Sequence, residues 1–181
     1  LFQSEVPELM QRFNNDELVS ISYSDRYLNS PWSVMLLGSF LSMFESDQLK
    51  AVRIQTVKTA NAKIPTAISH NWSETEDHQA VMRLWIGSIF NSPLELEIKQ
   101  HQRDLLHCRV LTLAWASGAQ SKIFLDQGMG YWLPRTHYND QLGFDFYQSY
   151  EGQAKAMLDK LSITNMVASG AWPTFITVLT K

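Results

Sequence analysis

Cysteine is almost absent from this sequence, since Cys108 is the only one among 181 residues. One cysteine cannot form an internal disulfide, and it cannot supply a cysteine-rich zinc cluster. A reducing compartment is the natural setting for such a chain, so we predict a cytoplasmic location. None of the histidines is spaced from another histidine, a cysteine or a carboxylate as in a zinc motif, and we therefore predict no metal site and no cofactor.

Long apolar runs are also missing. Polar residues interrupt every apolar stretch well before the roughly 20 positions that a membrane-spanning helix needs. The first residues show no basic flank followed by an apolar run, so we find no signal peptide. We expect a soluble domain without a membrane span. Because the chain opens with Leu1, we also expect it to be a fragment of a larger protein.

The sequence has no excess of basic residues and no complete nucleotide-binding motif. Lys and Arg total 15 against 18 Asp and Glu, which gives a formal net charge of −3. This balance argues against a surface wholly devoted to nucleic acid, although it leaves room for a local basic pocket. No Gly-Lys-Ser/Thr triplet occurs, and the turn from Gly128 to Gly130 lacks the third glycine of a dinucleotide fingerprint. Nucleotide hydrolysis is not expected.

The hydrophobic periodicity predicts an α/β fold. A hydrophobic share of 45% is enough for one sizeable core, so we treat 1–181 as a single domain with an extra helix over 1–15. A period of two indicates a strand beginning at Leu18, and helical spacing indicates helices over 32–44 and 73–90. The remaining predicted strands lie over 49–57, 94–98, 105–115, 121–125 and 174–179, with a last helix over 151–161. This order predicts a mixed β-sheet flanked by helices in two or three layers.

One histidine and one arginine on a predicted strand are the best candidates for chemistry. Positions two apart on a strand face the same way, so His107 and Arg109 would lie side by side, with Cys108 facing the opposite layer. Arginine offers a planar fork of donors and histidine can donate or transfer a proton, which suits a phosphate group. The alternative is that Arg109 pairs across strands with Glu95 or Glu97 and that His107 is structural.

The end of the first strand adds a second basic residue. Ligands of open α/β sheets collect outside the carboxyl ends of strands, which favours Arg26 over other surface arginines. The following helix starts at Ser30 and Pro31, and its N-terminus would present unpaired N–H groups to an anion. The alternative is a simple capping turn in which Asp25 and Arg26 are solvated.

Aromatic residues in predicted loops form a further candidate surface. Trp72, Tyr131 and Trp132 lie outside the predicted helices and strands, where they could meet a partner. Trp32 and Trp85 lie on apolar helical faces, where core packing is the expected use.

An ordered series of motifs resembles the phospholipase D-like domain at the C-terminus of proteins that carry a microtubule-interacting and trafficking domain. The series consists of the alternating segment 94–98, His107-Cys108-Arg109, the turn over 128–132 and the aromatic and acidic segment 142–146. The resemblance implies a phospholipase D-like fold. It also implies a phosphate site formed by His107 and Arg109 with the glycines Gly128 and Gly130, to which the strand-end argument adds Arg26.

The sequence departs from the catalytic phospholipase D pattern. Arg109 replaces the lysine of His-x-Lys, no aspartate follows at the required distance, and no second copy of the motif occurs. His107 would be catalytic only if the domain were active, and a homodimer would be needed to bring two copies of His107 together. Binding is therefore favoured over catalysis.

A fainter similarity joins the segment 23–31 to domains attached to bacterial helicase-like proteins of genome-defence systems. The resulting hypothesis is a non-catalytic module of a larger bacterial protein that holds nucleic acid or another phosphate-bearing ligand. The alternatives are a degenerate or dimeric phospholipase D-type phosphodiesterase and a protein-interaction domain.

Overall fold

The computed structural model describes residues 7–28, 31–58, 75–126, 128–129, 132–134, 166–168 and 176–180. Three α-helices lie in these ranges: α1 (Pro7–Asn15), α2 (Pro31–Leu41) and α3 (Thr75–Trp85). The strands are β1 (Leu18–Ser24), β2 (Ala51–Val57), β3 (Leu94–Lys99), β4 (Arg109–Trp115), β5 (Gln120–Leu125), β6 (Trp132–Pro134), β7 (Met166–Ala168) and β8 (Ile176–Thr180). Short 3-10 helices occupy Ser42–Phe44 and Gln102–Asp104.

Six strands form one mixed sheet in the order β3-β2-β1-β4-β5-β8, and β6 pairs with β7 separately. Strands β1, β2 and β3 run parallel to one another, whereas β4, β5 and β8 are each antiparallel to the strand before them in the sheet. Helices α2 and α3 connect the parallel strands, and right-handed crossovers that progress in one direction place both helices on the same face. The predicted α/β class with a mixed sheet is confirmed.

One face of the sheet packs against these helices. Ile21, Ile54 and Leu111 alternate with more exposed residues along their strands and are almost fully buried with the apolar residues of α2 and α3. The opposite face carries polar residues such as Ser22 and Lys122, which are half-buried and exposed. The described helices and the inner face of the sheet thus form a two-layer core.

Helix α1 closes one end of this core through Phe13. Its ring packs edge-on against Trp115 of β4 at 4.8 Å between centroids and stacks on Phe44 at 5.9 Å. Leu9, one turn earlier, is fully buried. The helical stripe seen in the sequence therefore packs on the sheet.

Two element boundaries differ from the prediction. Strand β4 begins at Arg109 rather than at 105, because the preceding residues follow the 3-10 helix and the apolar side chain of Leu106 is 73% exposed. Helix α3 ends at Trp85 rather than at 90, since a turn closed by Ile89 N–H to the Ile86 carbonyl follows it. Strands β6 and β7 were not predicted, and the helix predicted over 151–161 lies outside the described residues.

None of the helices in the described part of the chain has the length and apolar character that crossing a membrane requires.

Candidate functional site

The site forms where three strands end together. Because β4 runs antiparallel to β1, the last residues of β1 lie beside the first residues of β4, with Ser24 opposite Val110. Arg109 in turn lies opposite Leu125, the last residue of β5. The residues that follow β1, precede β4 and follow β5 therefore meet at one edge of the sheet.

Asp25 organises the turn after β1. Its backbone N–H donates to the Gln55 carbonyl at 3.0 Å, which extends the pairing with β2 by one residue. Its Oδ1 accepts the Tyr27 backbone N–H at 2.8 Å, as in an Asx turn, and its Oδ2 accepts the Tyr23 hydroxyl at 2.9 Å. Asp25 is only 1% exposed. Both carboxylate oxygens accept hydrogen bonds, which is the pattern of the ionised form.

Burial has the largest effect on the pKa of both Asp25 and Tyr23. It raises the pKa of Asp25 above the ordinary aspartate value, while the Tyr27 N–H, the Tyr23 hydroxyl and the charge of Arg109 act in the opposite direction. Burial also raises the pKa of Tyr23, and the neighbouring Asp25 carboxylate raises it further, so Tyr23 stays a neutral donor.

Arg109 extends over this turn from the start of β4. Its Nε lies 3.5 Å from Asp25 Oδ1, and its Nη1 donates to the Asp126 carbonyl at the end of β5. The guanidinium carbon lies 4.7 Å from the centroid of the Tyr27 ring, in a cation–π arrangement. The side chain is 14% exposed, so the Asp25–Arg109 ion pair is largely buried.

Gly128 lets the chain pass close to this ion pair. Its φ of +62° lies in the left-handed region, and a Cβ at this position would overlap the Arg109 side chain, 2.7 Å from its Nε, and lie 2.8 Å from Asp25 Oδ2. A glycine is therefore required here for both backbone and packing reasons.

His107 is exposed and is attached to the same cluster through Tyr27. Its Nε2 lies 3.2 Å from the Tyr27 hydroxyl, and the two rings meet edge-on at 5.7 Å between centroids. Tyr27 thus touches both His107 and Arg109, and it fixes their relative position.

The Arg26 side chain hydrogen-bonds to the backbone of the segment before β4. Its Nε donates to the Leu105 carbonyl at 2.6 Å, and its Nη2 donates to the same oxygen. This contact holds the segment that leads into β4, and with it His107.

An open pocket of about 520 Å³ lies beside the cluster. Its walls come from the start of β4, the end of β5 and the start of β8. The lining residues are His107, Cys108, Arg109, Phe124, Leu125, Asp126 and Thr177. The described residues contain no group of three or more His, Cys, Asp or Glu side chains able to hold a metal ion.

A comparison with known protein families shows the family to which this chain belongs. The family model described as "DEAD/DEAH box helicase YjiV, C-terminal domain" matches residues 1–180. The chain belongs to this family. The YjiV C-terminal domain family supports the fainter of the two resemblances, which was to domains attached to helicase-like proteins. No curated protein matches the chain.

The structure brings four of the predicted phosphate-site residues to one edge of this YjiV C-terminal domain. Arg26, His107, Arg109 and Gly128 all lie within the cluster around Tyr27 and Asp25. The other predicted glycine, Gly130, and the aromatic residues Trp72 and Tyr131 lie outside the described residues, as does Ser30. The backbone of Trp132 lies in the short strand β6 and not in a loop.

Three interpretations of these residues were wrong. His107 does not lie on a strand, because β4 begins two residues later. The alternative cross-strand partners of Arg109 are excluded because β1 and β2 separate β3 from β4, and Glu95 pairs instead with Arg53 at 2.6 Å. Asp25 is not solvated, since it is buried against Tyr23 and Arg109.

Sequence reasoning missed the two tyrosines and the role of the aspartate. Tyr23 is the last inward-facing residue of β1, and Tyr27 follows Asp25 by two positions. The signal available was the run Tyr-Ser-Asp-Arg-Tyr at a strand end, which concentrates polar and aromatic side chains where ligands of α/β sheets collect.

Proposed function

We propose that this chain is a non-catalytic accessory domain of a helicase that holds a phosphate group of a nucleic acid strand beside His107 and Arg109. The observation that carries the proposal is the position of Tyr27, which holds an exposed imidazole and a guanidinium at one end of an open pocket. Both side chains are suited to donate hydrogen bonds to phosphate oxygens.

We assign the Nδ1–H tautomer to His107, which lets its Nε2 accept a hydrogen bond from the Tyr27 hydroxyl. With the Tyr27 hydroxyl donating to Nε2, the neutral imidazole keeps its N–H on Nδ1, as a donor that does not require protonation of the ring. Arg109 directs Nε toward Asp25 and uses Nη1 on the Asp126 carbonyl, and we assign its Nη2 to the ligand. This nitrogen and the His107 Nδ1 are the proposed phosphate donors.

The partner of His107 favours binding over phosphodiester cleavage. A nucleophilic histidine needs an orienting base, and the side-chain group that contacts His107 Nε2 here is the hydroxyl of Tyr27. The buried carboxylate of Asp25 faces Arg109. The phospholipase D-like specification belongs to this proposal: it is supported by the motif at the start of β4 and by the hairpin that follows it.

The family supplies the larger setting of the proposal. Its description names the C-terminal domain of a DEAD/DEAH box helicase, and a helicase acts on nucleic acid strands. A phosphate site on such a domain would hold a strand near the motor. The genome-defence setting implied by the fainter resemblance remains a prediction, as do the cytoplasmic location and the homodimer.

Fluorescence anisotropy with a labelled single-stranded DNA tests the proposal on the full 181-residue chain. His107→Ala and Arg109→Lys should each weaken binding by about tenfold. Arg109→Lys is preferred to Arg109→Ala because lysine keeps a positive charge near the buried carboxylate of Asp25. The affinity should fall with rising salt, with a shallow slope because few phosphates are contacted.

Matched controls are available in the segment before β4. His101→Ala and Arg103→Ala remove the same residue types from exposed positions and should leave the affinity unchanged. Equal affinities for the His107 and His101 variants, in folded proteins, would refute the site. Cleavage of the DNA that disappears with His107→Ala would support the phosphodiesterase alternative. Capture of a protein partner in the absence of DNA binding would favour the interaction-domain alternative.

A further inference from the structure

The charge of the candidate site is balanced within the site itself. Arg26 and Arg109 carry the positive charges, and Asp25 and Asp126 carry the negative ones. The Asp25 carboxylate lies 3.5 Å from Arg109 Nε, and both side chains are largely buried. Water screens charges only weakly at such a buried position, so the Asp25 carboxylate repels any anion that Arg109 binds.

We infer that Asp25 is a specificity-determining residue, which makes the site select an internal phosphodiester of a nucleic acid strand over a terminal phosphate group. This inference rests on the proposed function. An internal phosphodiester carries one negative charge, whereas a terminal phosphomonoester carries nearly two above its second pKa of about 6. Each additional negative charge on the ligand is repelled by the buried carboxylate of Asp25.

The hydrogen bonds of Asp25 keep that charge in place. Tyr23 and the Tyr27 backbone donate to separate oxygens, so the carboxylate cannot turn away from Arg109 without losing a bond in a buried environment. Gly128 closes the remaining side, because there is no room for a Cβ between its backbone and the ion pair. The carboxylate is therefore a fixed part of the site and not a mobile counter-ion.

The test compares three forms of one single-stranded DNA of about 20 nucleotides, which exceeds a typical single-strand site. One form is circular, one is linear with a 5′ hydroxyl, and one is linear with a 5′ phosphate. At about pH 8, where the terminal phosphate is a dianion, the full chain should bind all three with equal affinity, because all three offer internal phosphodiesters and the terminal phosphate adds nothing to binding. Binding of the 5′-phosphorylated form about tenfold tighter than the circle would overturn the inference.

The same series with Asp25→Asn identifies the residue responsible. The 5′-phosphorylated strand should now bind about tenfold tighter than the circle, because the ligand meets an uncompensated Arg109. Asp47→Asn is the control, since it removes the same charge from an exposed position before β2, at the opposite edge of the sheet. A folded Asp25→Asn variant that still binds all three forms equally would refute the role of Asp25.

The outcomes separate the inference from the function on which it rests. If none of the three DNA forms binds to the unsubstituted chain, the proposed function fails and the inference fails with it. If the strands bind but the terminal phosphate dominates, the proposed function stands and the inference alone fails. The comparison on the unsubstituted chain decides this even where Asp25→Asn does not fold.

Discussion

The Asp25 carboxylate and the Arg109 guanidinium form a largely buried ion pair that joins the end of β1 to the start of β4, with 3.5 Å between Oδ1 and Nε. Removing one member of such a pair leaves an uncompensated buried charge and costs about 3–5 kcal/mol. The pair therefore has a structural role in addition to the proposed binding role. Variants that keep a charge of the same sign are the informative ones for function.

Asp25 predicts a specific pH dependence of stability. Its pKa in the folded state is raised, above all by burial, from the ordinary value of 3.8. Its contribution to the free energy of unfolding is thus fully present below that value and is lost as the pH rises through the folded pKa. Urea unfolding measures the free energy of unfolding of the unsubstituted chain and of Asp25→Asn. The value for the unsubstituted chain minus that for Asp25→Asn should fall as the pH rises from the unfolded to the folded pKa of Asp25, and it should stay constant above that range.

Asp16 should show the opposite pH dependence of stability. The Ser117 hydroxyl lowers the pKa of Asp16, so its contribution is present above the unfolded pKa and is lost as the pH falls. The difference in free energy of unfolding between the unsubstituted chain and Asp16→Asn should therefore shrink as the pH falls. A difference for Asp25→Asn that grows with rising pH would contradict the assignment of burial as the main cause.

Gly128→Ala should disturb both the backbone and the ion pair. The left-handed φ costs about 1–2 kcal/mol for alanine, and the overlap with Arg109 adds about 1–3 kcal/mol. Thermal unfolding measures the sum. Gly118→Ala is the matched control because its φ of +86° is also positive, while nothing lies within 4 Å of the added Cβ. Equal losses of stability for the two variants would show that the contact with Arg109 does not matter.

Local sequence patterns were sufficient to predict most of the sheet. The strict alternation over 94–98 predicted β3 to within one residue, and the β-branched segment over 49–57 predicted β2 to within two residues. The start of β4 could not be predicted, since Leu105 and Leu106 continue the apolar pattern. What holds the Leu105 carbonyl is Arg26, which lies 79 residues earlier in the chain.

The sequence was sufficient to predict where the candidate site lies, but not which of its residues contact one another. Strand ends indicated Arg26, and the motif before β4 indicated His107 and Arg109. The partnership of Asp25 with Arg109 depends on β1 lying beside β4, a strand order that periodicity does not determine. The two tyrosines were missed for the same reason, because their roles exist only once these strands are adjacent.

Tyr27→Phe should release His107 while leaving the guanidinium stacking intact. The phenylalanine ring still lies under Arg109, but no hydroxyl remains for the His107 Nε2. We expect stability to change by less than about 1 kcal/mol and DNA affinity to fall by about fivefold. Imidazole ¹⁵N NMR should show His107 losing its preference for the Nδ1–H tautomer. An unchanged tautomer population would contradict the contact.

Arg26→Ala tests whether the tether to Leu105 holds His107 in place. Two donors of the guanidinium share one carbonyl in a partly buried contact, so their loss should cost about 1–2 kcal/mol. Backbone amides over 105–108 should exchange faster with solvent, because the segment is no longer fixed to the end of β1. Arg26→Lys should restore only part of the protection, since lysine lacks the planar fork. Arg103→Ala, whose side chain is 82% exposed in the same connection, should leave the exchange unchanged. If the Arg26 and Arg103 variants exchange alike, the tether does not position His107, and the proposed site must be held by Tyr27 alone.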